Sequence, residues 1–323
     1  MGNIVLLDDL TINQIAAGEV IERPANVVKE LVENSIDAGA NKITIEIKNG
    51  GKTFIKVVDN GKGMEQDDMF LSLERHATSK IKNIEDLENN YTMGFRGEAM
   101  ASIASISKLI LASKTKNMLS GTKITAKAGE IQEKEECAMS TGTSVIVEDL
   151  FFNTPVRYKF LKQDATESKY IKNWVQKAAL ANTNISFGLY IDGKQVFKST
   201  GNGKIEDIIY ILYGKQIQEN IIKVDYKYNN MKVTGVIGNT LVSRDNRNGQ
   251  IIFLNKRNIK NSILANSIDQ AFKGGVGIGK YGFCILNLEI PANLYDVNVH
   301  PTKMDVRFKN EEEIYRLMYH AIK

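Results

Sequence analysis

The stretch Val28-Lys-Glu-Leu-Val-Glu-Asn-Ser-Ile-Asp-Ala-Gly39 constrains the fold more than any other. At 3.6 residues per turn, Val28, Leu31, Val32 and Ile36 form one apolar stripe, so the segment is a helix with a face committed to a core. Glu30, Asn34 and Asp37 stand at i, i+4 and i+7 and share a second face within an arc of roughly 60°. That polar face borders the stripe beside Val27, which sets it half-buried at the edge of the core. A carboxylate and a carboxamide one turn apart can hold a water and a metal ion over a phosphate. The competing reading is an ordinary solvated helix face, and the helix alone favours it. The rest of the chain shifts that balance.

A chain of 323 residues is long for one core, so two domains are expected. Ser199-Thr-Gly-Asn-Gly203 is the best linker, which predicts domains over 1–200 and 201–323. Hydrophobic content of 43% and charged content of 25% are those of a globular protein, and no apolar run is long enough to cross a bilayer. The first residues lack a signal-peptide pattern. Two cysteines, Cys137 and Cys284, are too few for a disulfide framework or a thiolate metal site and fit a reducing cytoplasm. The net charge of +4 permits nucleic-acid binding through a local patch without requiring it.

Thr11-Ile-Asn-Gln14 reads as a capping box, and Arg23-Pro24 restarts the chain with proline in the first turn of the opening helix, which Gly39 ends. A hairpin follows. Ile43, Ile45 and Ile47 alternate with polar residues, Asn49-Gly50-Gly51 turns, and Ile55, Val57 and Asp59 fall on one face of the returning strand. A carboxylate in that inward register is costly unless it finds a donor. Residues 77–97 are polar and too long for a simple connection, as lids are. A small apolar helix is expected from Glu98 to Ser107, strands near 108–114, 121–128, 130–136 and 143–149, a long helix over 157–181 and a hairpin at Asp192-Gly193. Beyond the linker, the pattern predicts helices near 204–213 and 261–272, strands near 221–226, 231–238, 250–255 and 283–289, and a last helix from Glu311.

Several constellations carry chemistry. Asp59-Asn-Gly-Lys-Gly63 can accept from an exocyclic amine while its glycines let backbone approach a flat base, although an Asp–Gly turn is more often only a turn. Gly94-Phe-Arg-Gly-Glu-Ala99 opens a helix with glycines, the way backbone amides are presented to phosphates, and its competitor is an empty hinge. Gly274–Tyr281 nearly spells a Walker A loop, but Tyr281 stands where Ser or Thr must bind magnesium, so it is read as a surface loop. Arg244, Arg247, Lys256, Arg257 and Lys260 form a loose basic group suited to phosphate backbones, against the alternative of a solvated charged face. His76, His300 and His320 lack metal-ligand spacing.

Together these segments resemble the amino-terminal ATPase region of the MutL family of DNA mismatch-repair proteins. The resemblance is carried by Gln14-Ile-Ala-Ala-Gly-Glu-Val20, Glu30–Gly39, Asp59–Gly63, Arg75-His-Ala-Thr-Ser-Lys80, Gly94–Ala99, Phe151–Pro155 and Val297–Phe308, in the family's order. It implies an α/β (α+β) fold: the left-handed α/β sandwich ATPase domain shared with gyrase, chaperones and histidine kinases, then a ribosomal-protein-like βαβ domain. It also implies the ligands ATP and Mg2+. Glu30 is then the general base, Asn34 the magnesium ligand, and Asp59 the acceptor for the adenine amine, with Gly61, Gly63 and Thr143 beside it. Thr78, Ser79, Lys80 and the backbone of Gly94, Phe95, Arg96, Gly97, Glu98, Ala99 and Met100 wrap the phosphates. Lys303 contacts the terminal phosphate from the second domain.

The function so implied is a slow, magnesium-dependent ATPase acting as a conformational switch. With ATP it forms a homodimer, binds DNA and couples mismatch recognition by a MutS homologue to a downstream repair helicase or nuclease, in the bacterial cytoplasm at the nucleoid. Two departures stand out: the family often has glycine at the position of Lys256 and arginine at that of Lys260, and lysine there lacks a bidentate fork. Family members continue into a carboxy-terminal dimerisation domain, in some lineages an endonuclease, so the chain is expected to be a fragment. The alternatives are a DNA-binding scaffold with a vestigial nucleotide site and a type II topoisomerase ATPase fragment. A histidine kinase fits least, because no helix with a phosphoacceptor histidine precedes the site.

Overall fold

Alternation of apolar and polar residues builds the largest of the three sheets among the described residues. The computed structural model describes residues 17–18, 20–74, 77, 98–296 and 306–323 and divides the chain into two compact units. Among the described residues, the first unit takes those up to 77, then 98–176 and Asn184–Asn202; the second takes Lys177–Thr183 and Gly203 onward.

In the first unit, helix α1 spans Pro24–Asp37. Proline is its first residue, and the Asn26 carboxamide accepts from the Arg23 backbone N–H at 3.1 Å. It stops where the Ala38 N–H reaches the Asn34 carbonyl and the Gly39 N–H the Ile36 carbonyl, each at 2.9 Å, with Gly39 at φ 75°. Strands β1 (Lys42–Lys48) and β2 (Phe54–Asp59) form the expected hairpin. Then come α2 (Gln66–Ser72), α3 (Ala99–Ser105), β3 (Lys108–Lys114), β4 (Gly121–Lys127), β5 (Glu130–Cys137) and β6 (Gly142–Glu148). Helices α4 (Pro155–Phe160) and α5 (Asp164–Ala181, of which the residues from Lys177 on belong to the second unit) precede β7 (Ser186–Ile191) and β8 (Lys194–Lys198). The eight strands order as β5-β4-β3-β6-β2-β1-β7-β8.

Directly opposed residues in neighbouring strands share a face, so the register turns each strand's alternation into rows across the sheet. One row reads Ala126, Leu109, Val147, Ile55, Ile47; the next reads Ile124, Leu111, Val145, Val57, Ile45, Leu189. All are buried, and α1 lays Val27, Val28, Leu31 and Val32 against this face. The third row differs: Thr122, Ser113, Thr143 and Asp59 lead into Ile43 and Phe187. One end of the apolar face is therefore polar.

The helix expected over 157–181 is two helices. Leu161 is extended (φ −64°, ψ 143°), and the Glu167 carboxylate accepts from the Lys162 N–H at 2.9 Å across the break. Lys52 pairs with Asp164 at 2.7 Å, so the hairpin side of the sheet fixes where the second helix begins.

The second unit holds α6 (Ile205–Tyr213), α7 (Lys215–Gln218), β9 (Ile221–Tyr228), β10 (Met231–Gly238), β11 (Gln250–Leu254), β12 (Arg257–Ile259), α8 (Ser262–Phe272), β13 (Cys284–Glu289), the short pair β14 (Tyr295–Asp296) and β15 (Arg307–Phe308), and α9 (Glu311–Ile322). Its sheet orders as β12-β11-β13-β10-β9, with β11 parallel to β13 through α8, a βαβ crossover. Leu264, Ile268, Leu317 and Met318 of α8 and α9 close the core over Leu286 and Leu288. Strand β12 escaped the sequence reading. Its hairpin turn, Asn255-Lys256, has both residues left-handed (φ 46° and 68°) without a glycine to announce it. No helix among the described residues is long and apolar enough to cross a membrane.

Candidate active site

The polar third row forms the floor of the candidate site. Asp59 ends β2 in the same register as Ile55 and Val57, and both carboxylate oxygens have donors. The Ser35 hydroxyl donates to Oδ2 at 2.7 Å, and the Gly61 backbone N–H to Oδ1 at 2.8 Å. Ser35 comes from α1 and is buried, so the helix and the sheet meet at this carboxylate. Across the strands, Thr143 opposes Asp59 and Ser113 opposes Thr143. The fully buried Ser113 hydroxyl lies 3.0 Å from Thr143 Oγ1 and 3.1 Å from the Gly142 carbonyl, and it accepts from the Met64 N–H at 2.8 Å. Gly63, at φ 73°, lies in the loop between; a Cβ there would sit 2.1 Å from the Lys114 carbonyl oxygen, so only glycine fits.

Glu30, Asn34 and Asp37 are each partly exposed along α1, at the border of the buried stripe. Lys29 Nζ stands 2.8 Å from Glu30 Oε1 and 3.3 Å from Glu33 Oε2. Burial pulls the Lys29 pKa down, but the charges and hydrogen bonds of Glu30 and Glu33 outweigh it and hold the ammonium above the ordinary lysine value. Glu98, Ala99 and Met100 are at the start of α3, where the Glu98 carbonyl takes the first helical bond from Ser102 N–H at 2.8 Å. Thr78, Ser79, Lys80, Gly94, Phe95, Arg96, Gly97 and Lys303 lie outside the described residues, as does most of 77–97.

The structure does not gather the five basic residues of the second unit into one group. Arg244 and Arg247 precede β11, whereas Lys256 and Arg257 lie beyond its other end, about 17 Å on at the rise of a strand. Lys260 follows β12 on the way back. Arg247 is committed within its own unit. Its guanidinium bonds Asp269 at 2.6 Å and lies 5.1 Å over the Tyr281 ring, and Asp269 raises its pKa. Arg244 sits 5.9 Å from both the Tyr213 and the Phe283 ring. Lys177, which the sequence reading passed over, donates to Asn258 Oδ1 at 2.9 Å within this unit; burial, then the Lys260 charge, lowers its pKa.

Comparison with known proteins places this geometry. Residues 21–155 match the profile of the histidine kinase-, DNA gyrase B-, and HSP90-like ATPases, and residues 209–323 match that of the DNA mismatch repair protein, C-terminal domain. The DNA mismatch repair protein MutL of Halothermothrix orenii is 47% identical over 322 residues, which cover 100% of this chain and 50% of that protein. That of Caldanaerobacter subterraneus subsp. tengcongensis is 46% identical over 323 residues, 100% of this chain and 55% of the relative. The chain belongs to the MutL family. It spans about half the length of the MutL relatives it matches. Among solved structures, the N-terminal domain of a DNA repair protein superposes with a TM-score of 0.80 at 28% identity over 96% of each chain. The Aquifex aeolicus MutL ATPase domain complexed with ADP gives 0.66 at 27% identity over 93% of this chain and 98% of its own. The first unit is thus a MutL-type ATPase domain.

Ser35 and Ser113 were missed by the sequence reading of this MutL-type site. The signal for Ser113 was present: Leu109, Leu111 and Ser113 alternate as Ile55, Val57 and Asp59 do, so three adjacent strands each put a polar side chain at the same inward position. Lys256 is left-handed at φ 68°, a conformation that glycine adopts without strain.

Proposed function

We propose that the first unit binds ATP and hydrolyses it slowly, and that the chain uses this cycle as a conformational switch in DNA mismatch repair. The observation that carries the reading is the Ser35–Asp59 bond. It ties an inward carboxylate at the polar end of the sheet to the same helix that bears Glu30 and Asn34. With its two donors satisfied, Asp59 keeps lone pairs for an exocyclic amine, which adenine has and guanine lacks at that position. Thr143, held by Ser113, adds a hydroxyl beside it.

Glu30 acts as general base. It takes a proton from the attacking water as the oxygen bonds the terminal phosphorus, and the bond to the departing diphosphate oxygen breaks with its electron pair on ADP. The donor set fits magnesium. Asn34 offers one carboxamide oxygen on α1, and magnesium, a hard cation that takes few protein oxygens, would complete its shell with substrate phosphate oxygens and water. When bound, the ion would neutralise charge on the phosphate oxygens. Glu98, Ala99 and Met100 offer backbone amides at the opening of α3.

In the whole protein, ATP binding brings two copies together, engages DNA through Lys256, Arg257, Lys260 and neighbouring cations, and relays a signal from a MutS homologue to a repair helicase or nuclease; hydrolysis releases it. The decisive measurement is turnover and molecular mass together. Glu30→Ala should lower ATP hydrolysis by about 100-fold or more while a non-hydrolysable ATP analogue still drives dimerisation. Wild-type turnover in that variant removes Glu30 from its role, and a monomer with and without the analogue refutes the switch.

A further inference from the structure

The hydrolytic step above uses one of three charged side chains that α1 holds together. Lys29 Nζ lies 2.8 Å from Glu30 Oε1 and 3.3 Å from Glu33 Oε2. The side chains of Lys29, Glu30 and Glu33 are only 28%, 21% and 7% exposed, so none is a freely solvated charge. Consecutive helix residues point about 100° apart and do not ordinarily meet. The Lys29–Glu30 contact therefore requires both stems to bend toward each other, while Glu33, one turn on, receives the same ammonium in the ordinary i, i+4 way.

We infer that Lys29 is a positioning residue for hydrolysis: it holds Glu30 by Oε1 so that Oε2 faces the attacking water, and Glu33 keeps the ammonium neutralised when Glu30 takes the proton. The inference rests on Glu30 being the base. Charge counting gives its logic. Before transfer, one ammonium and two carboxylates carry a net −1. After transfer, Glu30 is a neutral acid and Lys29–Glu33 is a neutral pair. Without Glu33, the transfer would strip a half-buried ammonium of its counter-charge, which opposes the step. Without Lys29, two adjacent carboxylates repel and Glu30 loses its fixed orientation toward water.

The test is a double-mutant cycle read by single-turnover hydrolysis at saturating ATP, with ADP affinity measured in parallel. Lys29→Met should slow hydrolysis about tenfold while ADP affinity stays within about twofold, and Lys29→Arg should recover most of the rate. In a Glu30→Ala background, Lys29→Met should change the residual rate by less than about twofold, because the group it positions is gone. The same fold loss in both backgrounds, an arginine variant as slow as the methionine one, or a wild-type rate for Lys29→Met beside an inactive Glu30→Ala overturns the inference and leaves Glu30 standing. A wild-type rate for Glu30→Ala instead defeats the reading of the base itself. Should Lys29→Met fail to fold, Glu33→Gln carries the test: a loss of about threefold or more that vanishes in the Glu30→Ala background supports the relay, and an unchanged rate refutes it.

Discussion

Asp59→Asn separates recognition of the base from the integrity of the fold. In the protein, Asp59 accepts from Gly61 N–H at 2.8 Å and from the Ser35 hydroxyl at 2.7 Å. Asparagine can keep its carbonyl toward Gly61. Its NH2 then meets Ser35, whose hydroxyl also lies 3.1 Å from the Leu31 carbonyl and can donate there while accepting from the amide. Exchanging charged for neutral hydrogen bonds costs about 1 kcal/mol, so the variant should fold. Binding suffers more. With Asp59 in its proposed role, a charged acceptor for the adenine amine is lost and an NH2 can face that amine, together about 2–3 kcal/mol. That is about 30- to 150-fold in Kd. Calorimetric titration with a non-hydrolysable ATP analogue and its inosine counterpart gives the readout. Inosine carries an oxo group where adenine has its amine and can accept from the new NH2, so the adenine preference should collapse or invert. A folded variant that binds the adenine nucleotide within about threefold of wild type, with its preference intact, refutes the role given to Asp59.

Other consequences follow from single positions. Gly63→Ala forces a Cβ to 2.1 Å from the Lys114 carbonyl at a left-handed φ, so urea unfolding should show a loss of about 2–4 kcal/mol; a loss under about 1 kcal/mol contradicts the close approach. Lys256→Gly relieves the left-handed turn and should raise stability by about 0.5 kcal/mol after the extra chain entropy of glycine. If Lys256 also contacts phosphate, the slope of log affinity for DNA against log salt falls by about 1. Burial, then the Asp269 charge, pushes the Cys284 thiol up to about 12, whereas Cys137 is partly exposed. A thiol reagent should therefore label Cys137 in the native protein and Cys284 only on unfolding. Because the folded pKa is raised, the stability that Cys284 contributes is complete below about pH 8.5, where the unfolded thiol is still protonated. It is lost as pH climbs toward about 12, and Cys284→Ala should flatten that alkaline decline.

Much of the first unit was legible because alternation and helical periodicity are local. Ile43–Ile47 and Ile55–Asp59 declare their faces, and an inward Asp59 announces that it needs donors. The identity of those donors was not local. Ser35 is 24 residues away and Ser113 reaches Thr143 across strands 30 residues apart, so register had to be known first. Charge patterns were least informative. Arg244 and Arg247 look like phosphate contacts in sequence, but Asp269, Tyr213, Tyr281 and Phe283 compete for them at close range. Lys29 shows the converse. It reads as a solvated helix charge, and only the convergence of Glu30 and Glu33 on its ammonium gives it a task.

In the proposed site, helix α1 links the end that contacts the base to the end that carries Glu30. Ser35 and Glu30 are separated by five residues, about 7.5 Å along a helix axis, and that spacing is fixed by the backbone. The helix is held at its start by the Asn26 cap and at its end by the turn at Gly39, and Val27, Val28, Leu31 and Val32 are buried between. It therefore resists local melting, and a displacement of the Asp59 end moves the whole rod. A nucleotide base that seats badly against Asp59 then misplaces the Glu30 carboxylate as well. Base selectivity should accordingly appear in the rate of hydrolysis as well as in binding, with the poorly seated nucleotide turned over more slowly even at saturation.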